Sequence, residues 1–466
     1  MRPRQARFQT GWGQCYTRRV MNTPSVYVLV INWNGLEHLE ACYDSLLAST
    51  YAHCRFWLLD NGSTDESVAF VQSRYGHDSR VEIVSCGGNL GWSGGNNVGM
   101  RRALDAGADY IFLLNNDTAI APDAIACLVC AAESDSTVGA LAPKMVLFSE
   151  PQILNSVGIT CSIIGGSWDM GIGRLDGEAW NSPQEVAAVC GGAMFIRSAA
   201  LRQAGLLPER FEIYLDDVDL GLRIWDCGYR IVSTPGAVVH HKFSATYGSG
   251  ARARYKYYLN TRNRFWLVLR NFPMGLLVMA APYLVLGELK AVGRSVIDGE
   301  YWRVLAHAKA WLATVLQLRP LLRGRNLPGV AGNARGQYRK LLRRHPLFCP
   351  PVELPQSGWY GEVTVRGQRV RPISSLATLV PETRSLNILH VNAHPALGAT
   401  QVRVVQDGAT IAELSTTDEG HVVLEVRGTP VTFYAEKIFP AEATGARADY
   451  GGWLAVQFGN AGESSV

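Results

Sequence analysis

Hydrophobic residues come in short unbroken runs through the first half of the chain. Val26–Ile31 (VYVLVI), the RFWLLD segment ending at Asp60, VEIVS and YIFLLN each read as a strand covered on both faces, since none alternates with polar positions. Helical patterns separate them at Leu36–Ala48, Asp65–Tyr75 and Asn97–Ala106. Strands and helices alternating at this spacing predict βαβ units and a mostly parallel sheet, an α/β fold. Ligands of such sheets bind at the carboxyl ends of the strands. Asn32–Asn34, Asp60–Ser63 and Asn115–Asp117 all fall at such ends and are expected to converge in space.

The texture changes from Asn271. MGLLVMAAPYLVLG (274–287) is uncharged but interrupted by Pro282, and reads as too short to span a membrane. No acidic residue lies between Glu300 and Glu353, a stretch holding ten Lys and Arg. A helical region lying against a membrane surface is expected there, with a linker packed on the first domain as the plainer alternative. From Gly358 the pattern is all-β, and VRVVQDGATIAEL alternates on either side of Asp407-Gly408, a hairpin signature. At 466 residues the chain is too long for one core. The expected division is a loose leader at 1–24, an α/β domain at 25–272, a basic helical region at 273–349 and a β-sandwich at 350–466.

Composition adds little. Hydrophobic content of 47% and charged content of 18% exclude a disordered or fibrous chain, and the net charge is only +4. Ten cysteines without a regular rhythm point to a reducing compartment. Cys127 and Cys130 read as buried thiols on one helix face rather than zinc ligands. No apolar run follows the first arginines, so no signal peptide is expected, and Met21 is an alternative start.

The candidate chemistry sits in five places. GGNLGWSGGNNVG (87–99) reads as a polar loop approaching a base or ribose, or as a plain flexible loop; its glycines do not fit the dinucleotide fingerprint. Asp60 either ends a strand or accepts hydrogen bonds from a nucleotide. Asp117, beside amide oxygens, offers hard ligands for Mg2+ or Mn2+ on a diphosphate, or opens a turn. Asp216, Asp217 and Asp219 open a helix, where carboxylates complement the dipole but crowding also raises proton affinity, as a general base requires. One of His240 and His241 is a candidate metal ligand.

In order, VLVINWNGLEHLEACYDSLLAST, LLDNGSTDES, NLGWSGGNNVG, LLNNDT, CGGAMFIRSAALRQAGLL, YLDDVDLGLRIWDCGYR and HHKFSATYG resemble the successive motifs of family 2 glycosyltransferases, especially the rhamnosyltransferase-like branch. The resemblance covers about residues 26–272. It implies a GT-A fold and inverting transfer from a nucleotide-diphospho-sugar. Asp60 matches the nucleotide-binding aspartate, Asp217 the catalytic base and His241 the metal-ligating histidine, with His240 adjacent. NNDT occupies the place of the metal-binding DxD motif, with Asn115 in place of its first carboxylate and Asp117 retained. On the same grounds Asn32, Trp33, Asn34, Asp60, Asn89, Gly91, Asn97, Asn115 and Asn116 are expected at the donor, and Gly192 and Asp216 at the acceptor. The end of the chain and GWYGEV resemble, more weakly, accessory β-sandwich modules of polysaccharide-building relatives, with Trp359, Tyr360 and Trp453 either lining a sugar surface or buried.

The expected partners are a nucleotide-diphospho-sugar and a glycan or lipid-linked glycan of the kind built for bacterial cell surfaces. No nucleic acid is expected. A homo-oligomer and peripheral contact with the inner face of the cell membrane, from the cytoplasm, complete this reading. Two rivals stand beside it. A non-catalytic sugar-binding or scaffold protein would lack the acidic set, and an NAD-linked oxidoreductase would need GxGxxG after the first strand, where the chain has INWNG.

Overall fold

The computed structural model describes residues 23–174, 176–242, 251–323 and 337–342, with the C-terminal strands given below. In chain order the first elements are β1 (Val26–Asn32), α1 (Leu36–Leu47), β2 (Cys54–Asp60), α2 (Ser67–Tyr75), β3 (Val81–Ser85), α3 (Gly91–Asp105), β4 (Tyr110–Asn115), β5 (Thr118–Ile120) and α4 (Ala124–Ser134). Then follow β6 (Val138–Leu147), β7 (Leu154–Ser156), β8 (Ile159–Cys161), β9 (Ser167–Asp169), β10 (Ala193–Arg197), α5 (Ser198–Ala204), α6 (Asp216–Asp226) and β11 (Arg230–His241). Four helices come next: α7 (Ala251–Asn271), α8 (Met274–Ile297), α9 (Tyr301–Leu316) and α10 (Leu318–Arg323).

The main sheet runs β3-β2-β1-β4-β10-β6-β11-β5. β3, β2, β1 and β4 are parallel, as are β6 and β11, whereas β10 and β5 run antiparallel to their neighbours. The apolar runs are unbroken because both faces are covered. Val26, Val28 and Val30 pack with Leu39, Tyr43 and Leu128, from α1 and α4, while Leu29 packs on the other face with Met100, Leu220 and Trp225, from α3 and α6.

Three expectations need correction. The Gly-rich stretch is a loop only at 87–90, because α3 begins at Gly91 rather than Asn97. Its glycines let the helix approach the sheet closely. A Cβ on Gly95 would come within 2.7 Å of Ile31, and one on Gly99 within 2.6 Å of Leu59. Cys127 is a half-buried free thiol and Cys130 is disulfide-bonded, so α4 does not bury the pair in the core. Finally, α8 runs unbroken through Pro282 for 24 residues and is by length and composition long enough to cross a membrane.

The chain divides into two compact units, one of residues 1–148, 156–170 and 178–348, the other of 149–155, 171–177 and 349–466. In the second, β12 (Val363–Val365), β13 (Gln368–Ile373), β14 (Leu376–Leu379), β15 (Ser385–His390), β16 (Gln401–Gln406), β17 (Ala409–Ser415), β18 (Gly420–Glu425), β19 (Val431–Ala435) and β20 (Gly452–Gln457) form two antiparallel sheets, β12-β13-β20-β15-β18 and β14-β19-β16-β17. β16 and β17 make the expected hairpin, with Asp407 at a positive φ of 51° in its turn. The leader to residue 22, Trp359 and Tyr360 lie outside the described residues, as does the side chain of Trp453 on β20.

Helix α6 is held from within. Asp219, fully buried, accepts from Arg223 Nε at 2.8 Å and Asn271 Nδ2 at 2.8 Å, and pairs with Arg270 Nε at 3.2 Å. Arg223 in turn donates to the carbonyls of Ala204, Gly205 and Leu206 at the end of α5. Removing one partner of such a pair strands a buried charge, so Asp219→Ala should lose about 3–5 kcal/mol of stability. Chemical denaturation of the full chain would measure it, and an unchanged midpoint would mean that the pair does not hold α6.

Candidate active site

The strand ends do meet. In the parallel register Asn32 lies beside Asp60, and Ile31 beside Asn115. Asn32 is almost wholly buried; its Nδ2 donates to Ser63 Oγ at 3.1 Å and its Oδ1 accepts from Asn116 Nδ2 at 2.6 Å. Asn34, at a positive φ of 51°, accepts from the Thr64 and Asp65 amides at 2.7 and 3.3 Å. Asp60 Oδ1 accepts from the Ser63 amide at 3.0 Å. These bonds tie β1, β2 and β4 into one polar rim on which Trp33 stands exposed. A Cβ on Gly35 would fall 2.0 Å from Asn116 Nδ2 and displace the amide that bonds Asn32.

The Gly-rich segment closes one side of the rim. Asn89 Oδ1 accepts from the Gly91 amide at 2.9 Å, and Asn61 links to both the 89–91 turn and the sheet. From the first turn of α3, Trp92 Nε1 donates to Asn115 Oδ1 at 3.0 Å, and Ser93 Oγ donates to Asp216. Asn97 is different. It is buried, and its amide bonds the Leu207 backbone in both directions and Glu209, at 2.9 to 3.0 Å, so it braces α3 against the 207–209 segment instead of facing a ligand.

Opposite lies the second cluster. Asp117 Oδ1 stands 3.2 Å from His241 Nε2, both side chains largely buried. Successive residues of a strand point to opposite faces, so His240 turns away and packs edge-on against Phe148, where burial lowers its proton affinity. Of the two histidines, His241 is the one beside Asp117. Gly191 and Gly192 form the floor between this pair and α6. The Gly191 amide donates to Asp217 Oδ2 at 3.1 Å, and a Cβ on Gly192 would lie 3.5 Å from the His241 ring. Trp92 leaves no room above Gly191 for a side chain, its ring coming within 2.8 Å of a Cβ there.

Three carboxyls hold protons unusually tightly. Burial, then Asp216 and Asp169, raise Asp217 to about 8. Burial raises Asp216 to about 6 against the opposing bond from Ser93. Asp169, on β9, is also raised by burial and is hydrogen-bonded by Ser156 and Cys190, with His241 near enough to oppose the shift. Its Oδ1 has no hydrogen-bond partner among the described residues. Sequence reasoning missed Asp169 because SWDMG carries no periodicity and no motif. Trp92 and Ser93 were missed because their helix was read as starting at Asn97.

No group of three or more His, Cys, Asp and Glu able to hold a metal occurs among the described residues. Asp117 and His241 offer two ligands, one hard oxygen and one imidazole nitrogen. That set fits Mg2+ or Mn2+, because such ions take their remaining ligands from waters and substrate phosphates.

Residues 27–201 match the family profile described as Glycosyl transferase family 2. An N-acetylglucosaminyl-diphospho-decaprenol L-rhamnosyltransferase of Mycobacterium tuberculosis is 29% identical over 239 residues, covering 47% of this chain and 76% of that protein. The O-antigen biosynthesis protein RfbC of Myxococcus xanthus is 27% identical over 336 residues, 70% of this chain and 24% of that one. Among solved structures, GalNAc-T7 with UDP, GalNAc and Mn2+ aligns over 66% of this chain and 58% of that chain, at 15% identity and a TM-score of 0.46.

The raised proton affinity of Asp217 has a thermodynamic sign. Its folded-state pKa lies above the ordinary 3.8, so the protonated carboxyl stabilises the fold in acid and that contribution is lost as pH climbs towards about 8. Asparagine cannot ionise. The melting temperature of Asp217→Asn should therefore match wild type near pH 4 and exceed it increasingly up to about pH 8. A constant difference across that range would place Asp217 in an ordinary solvated setting.

Proposed function

We propose that this chain, whose residues 27–201 match the Glycosyl transferase family 2 profile, transfers a sugar from a nucleotide-diphospho-sugar to a glycan acceptor, with inversion at the anomeric carbon. In this reading the nucleotide lies at Asn32, Asn34, Asp60 and Asn89, and the acceptor at Gly192 and Asp216. The observation that carries this reading is the Gly191–Gly192 floor. It joins a carboxyl of raised proton affinity, Asp217, to the Asp117–His241 pair within two residues.

In this reaction the acceptor hydroxyl oxygen attacks the anomeric carbon as Asp217 takes its proton. The carbon–oxygen bond to the diphosphate breaks on the opposite face, and the nucleoside diphosphate leaves with that electron pair. One displacement needs one base and no covalent nucleophile. The Gly191 and Val218 amides, at 3.1 and 2.8 Å, orient the Asp217 carboxylate. Asp216, fixed by Ser93, keeps like charge beside it and so raises its basicity. Asp117 and His241 would hold a divalent ion, which when bound offsets charge developing on the leaving diphosphate. Asn115 turns its amide oxygen to Trp92, leaving Asp117 as the carboxylate of this strand end.

The relative of Mycobacterium tuberculosis, by its name, acts on a diphospho-decaprenol-linked sugar as a rhamnosyltransferase. We extend that class to this chain: a lipid-linked glycan acceptor and, among sugars, rhamnose first. The oxidoreductase reading falls away, since the Gly-rich residues are packed into α3 against the sheet.

Asp217→Asn should retain donor binding by calorimetry and lose about 100- to 10,000-fold in transfer rate. The wild-type kcat/KM should rise with pH through a limb far above the ordinary carboxylate range, because the base must first lose its proton. Transfer within a few-fold of wild type by Asp217→Asn would exclude it as the base. Excess EDTA or Asp117→Ala should abolish turnover, and full activity in either would remove the metal from the reaction.

A further inference from the structure

Helices α8 and α9 turn one buried polar cluster inward and most of their leucines outward. Glu288, in the second half of α8, is buried. It pairs with Arg264 of α7 and accepts from Trp311 Nε1 at 2.9 Å, and its Oε2 lies 2.7 Å from His307 Nδ1. His307 also meets the Tyr257 hydroxyl at 3.0 Å. On the outer face, Val278, Leu286 and Leu289 of α8 and Leu305, Leu312 and Leu316 of α9 are 61–70% exposed. Soluble proteins rarely leave a contiguous apolar face of this kind uncovered.

We propose that this face rests on the surface of an anionic phospholipid bilayer, with α8 and α9 lying in its plane. Charge selects the occupant. Lys290 and Arg294 of α8, Lys309 of α9 and Arg319 and Arg323 of α10 are exposed, Arg294 also pairing with Asp298 at 2.7 Å, and no acidic residue occurs from 301 to 352. Basic residues beside an apolar helical face suit anionic headgroups. A second copy of the chain would bring the same positive charge against itself. The ion pair decides between lying on the membrane and crossing it. Spanning would carry Glu288 and Arg264 into hydrocarbon or break their pair, and either is costly.

Helix α7, to which α8 is tied through the Arg264–Glu288 pair, is braced to the site. From α7, Asn263 donates to the carbonyls of Phe211, Ile213 and Tyr214 at 2.8 to 2.9 Å, and Arg262 pairs with Glu212 at 2.9 Å. This segment, with positive φ at Glu212, Tyr214 and Leu215, leads directly into Asp216 and Asp217. The arrangement deepens the proposed function and rests on its lipid-linked acceptor: the surface that carries the acceptor is the one on which the enzyme sits.

Co-sedimentation of the full chain with vesicles tests the surface without using catalysis. Wild type should pellet with vesicles containing phosphatidylglycerol, and at least tenfold less with phosphatidylcholine alone. Leu286→Glu with Leu312→Glu, both at exposed positions, should lose at least tenfold of that binding with an unchanged melting temperature. Transfer to a water-soluble acceptor should be unaffected, and transfer to a vesicle-borne one should fall. Equal binding by the double variant, or none by wild type, overturns the proposal. So does a wild-type dimer that the double variant dissociates without any vesicle binding, which would assign the face to a second copy. Resistance of wild type to alkaline carbonate extraction would mean that α8 spans. If vesicles bind as expected and no acceptor is glycosylated, the docking surface stands and the catalytic reading fails.

Discussion

A carboxylate with no access to water, Asp219, sets the direction in which helix α6 faces. It gathers Arg223, Asn271 and Arg270 around two oxygens, and Arg223 goes on to satisfy three carbonyls at the end of α5. Residues two apart on a helix point to nearly opposite sides. Fixing Asp219 toward α7 therefore turns Asp217 toward the Gly191 floor. The three acidic residues of this first turn have separate tasks: Asp219 anchors, Asp216 is tied to Ser93, and Asp217 faces the rim with its proton affinity raised. A helix dipole argument alone would have treated them alike.

Much of this was legible in the chain. Unbroken apolar runs ending in Asn32, Asp60 and Asn115 identified the parallel part of the sheet and the edge where its polar strand ends meet, because covering a strand on two faces erases alternation. The antiparallel strands β10 and β5 were not legible. Their pairing is set by contacts between Phe195 and Phe112 and between His241 and Thr118, far apart in sequence. The Gly-rich segment misled because low helix propensity was taken at face value. Tertiary packing overrode it: only residues without a Cβ allow α3 to lie against Ile31 and Leu59.

The site residues divided similarly. Asp117, Asp217 and His241 were singled out from motifs, and strand alternation in three dimensions puts His241 rather than His240 beside Asp117. Asp169 had no signal at all, since it enters through an irregular segment and matters by proximity to Asp217 and His241. Pro282 made α8 look short, although a proline costs a helix only one backbone bond and a local bend when neighbouring packing holds it.

The sulfur of Cys190 adjoins the floor glycines, beside Asp169, and burial together with the Asp169 and Asp217 charges pushes its thiol well above the usual range. A thiol reacts with oxidants and alkylating agents as its thiolate. Asp169, which helps raise the proton affinity of Asp217, therefore also helps to keep the adjacent cysteine chemically quiet. Peroxide or electrophilic drugs would find little thiolate there, because the negative field beside Asp217 disfavours a further negative charge on the sulfur.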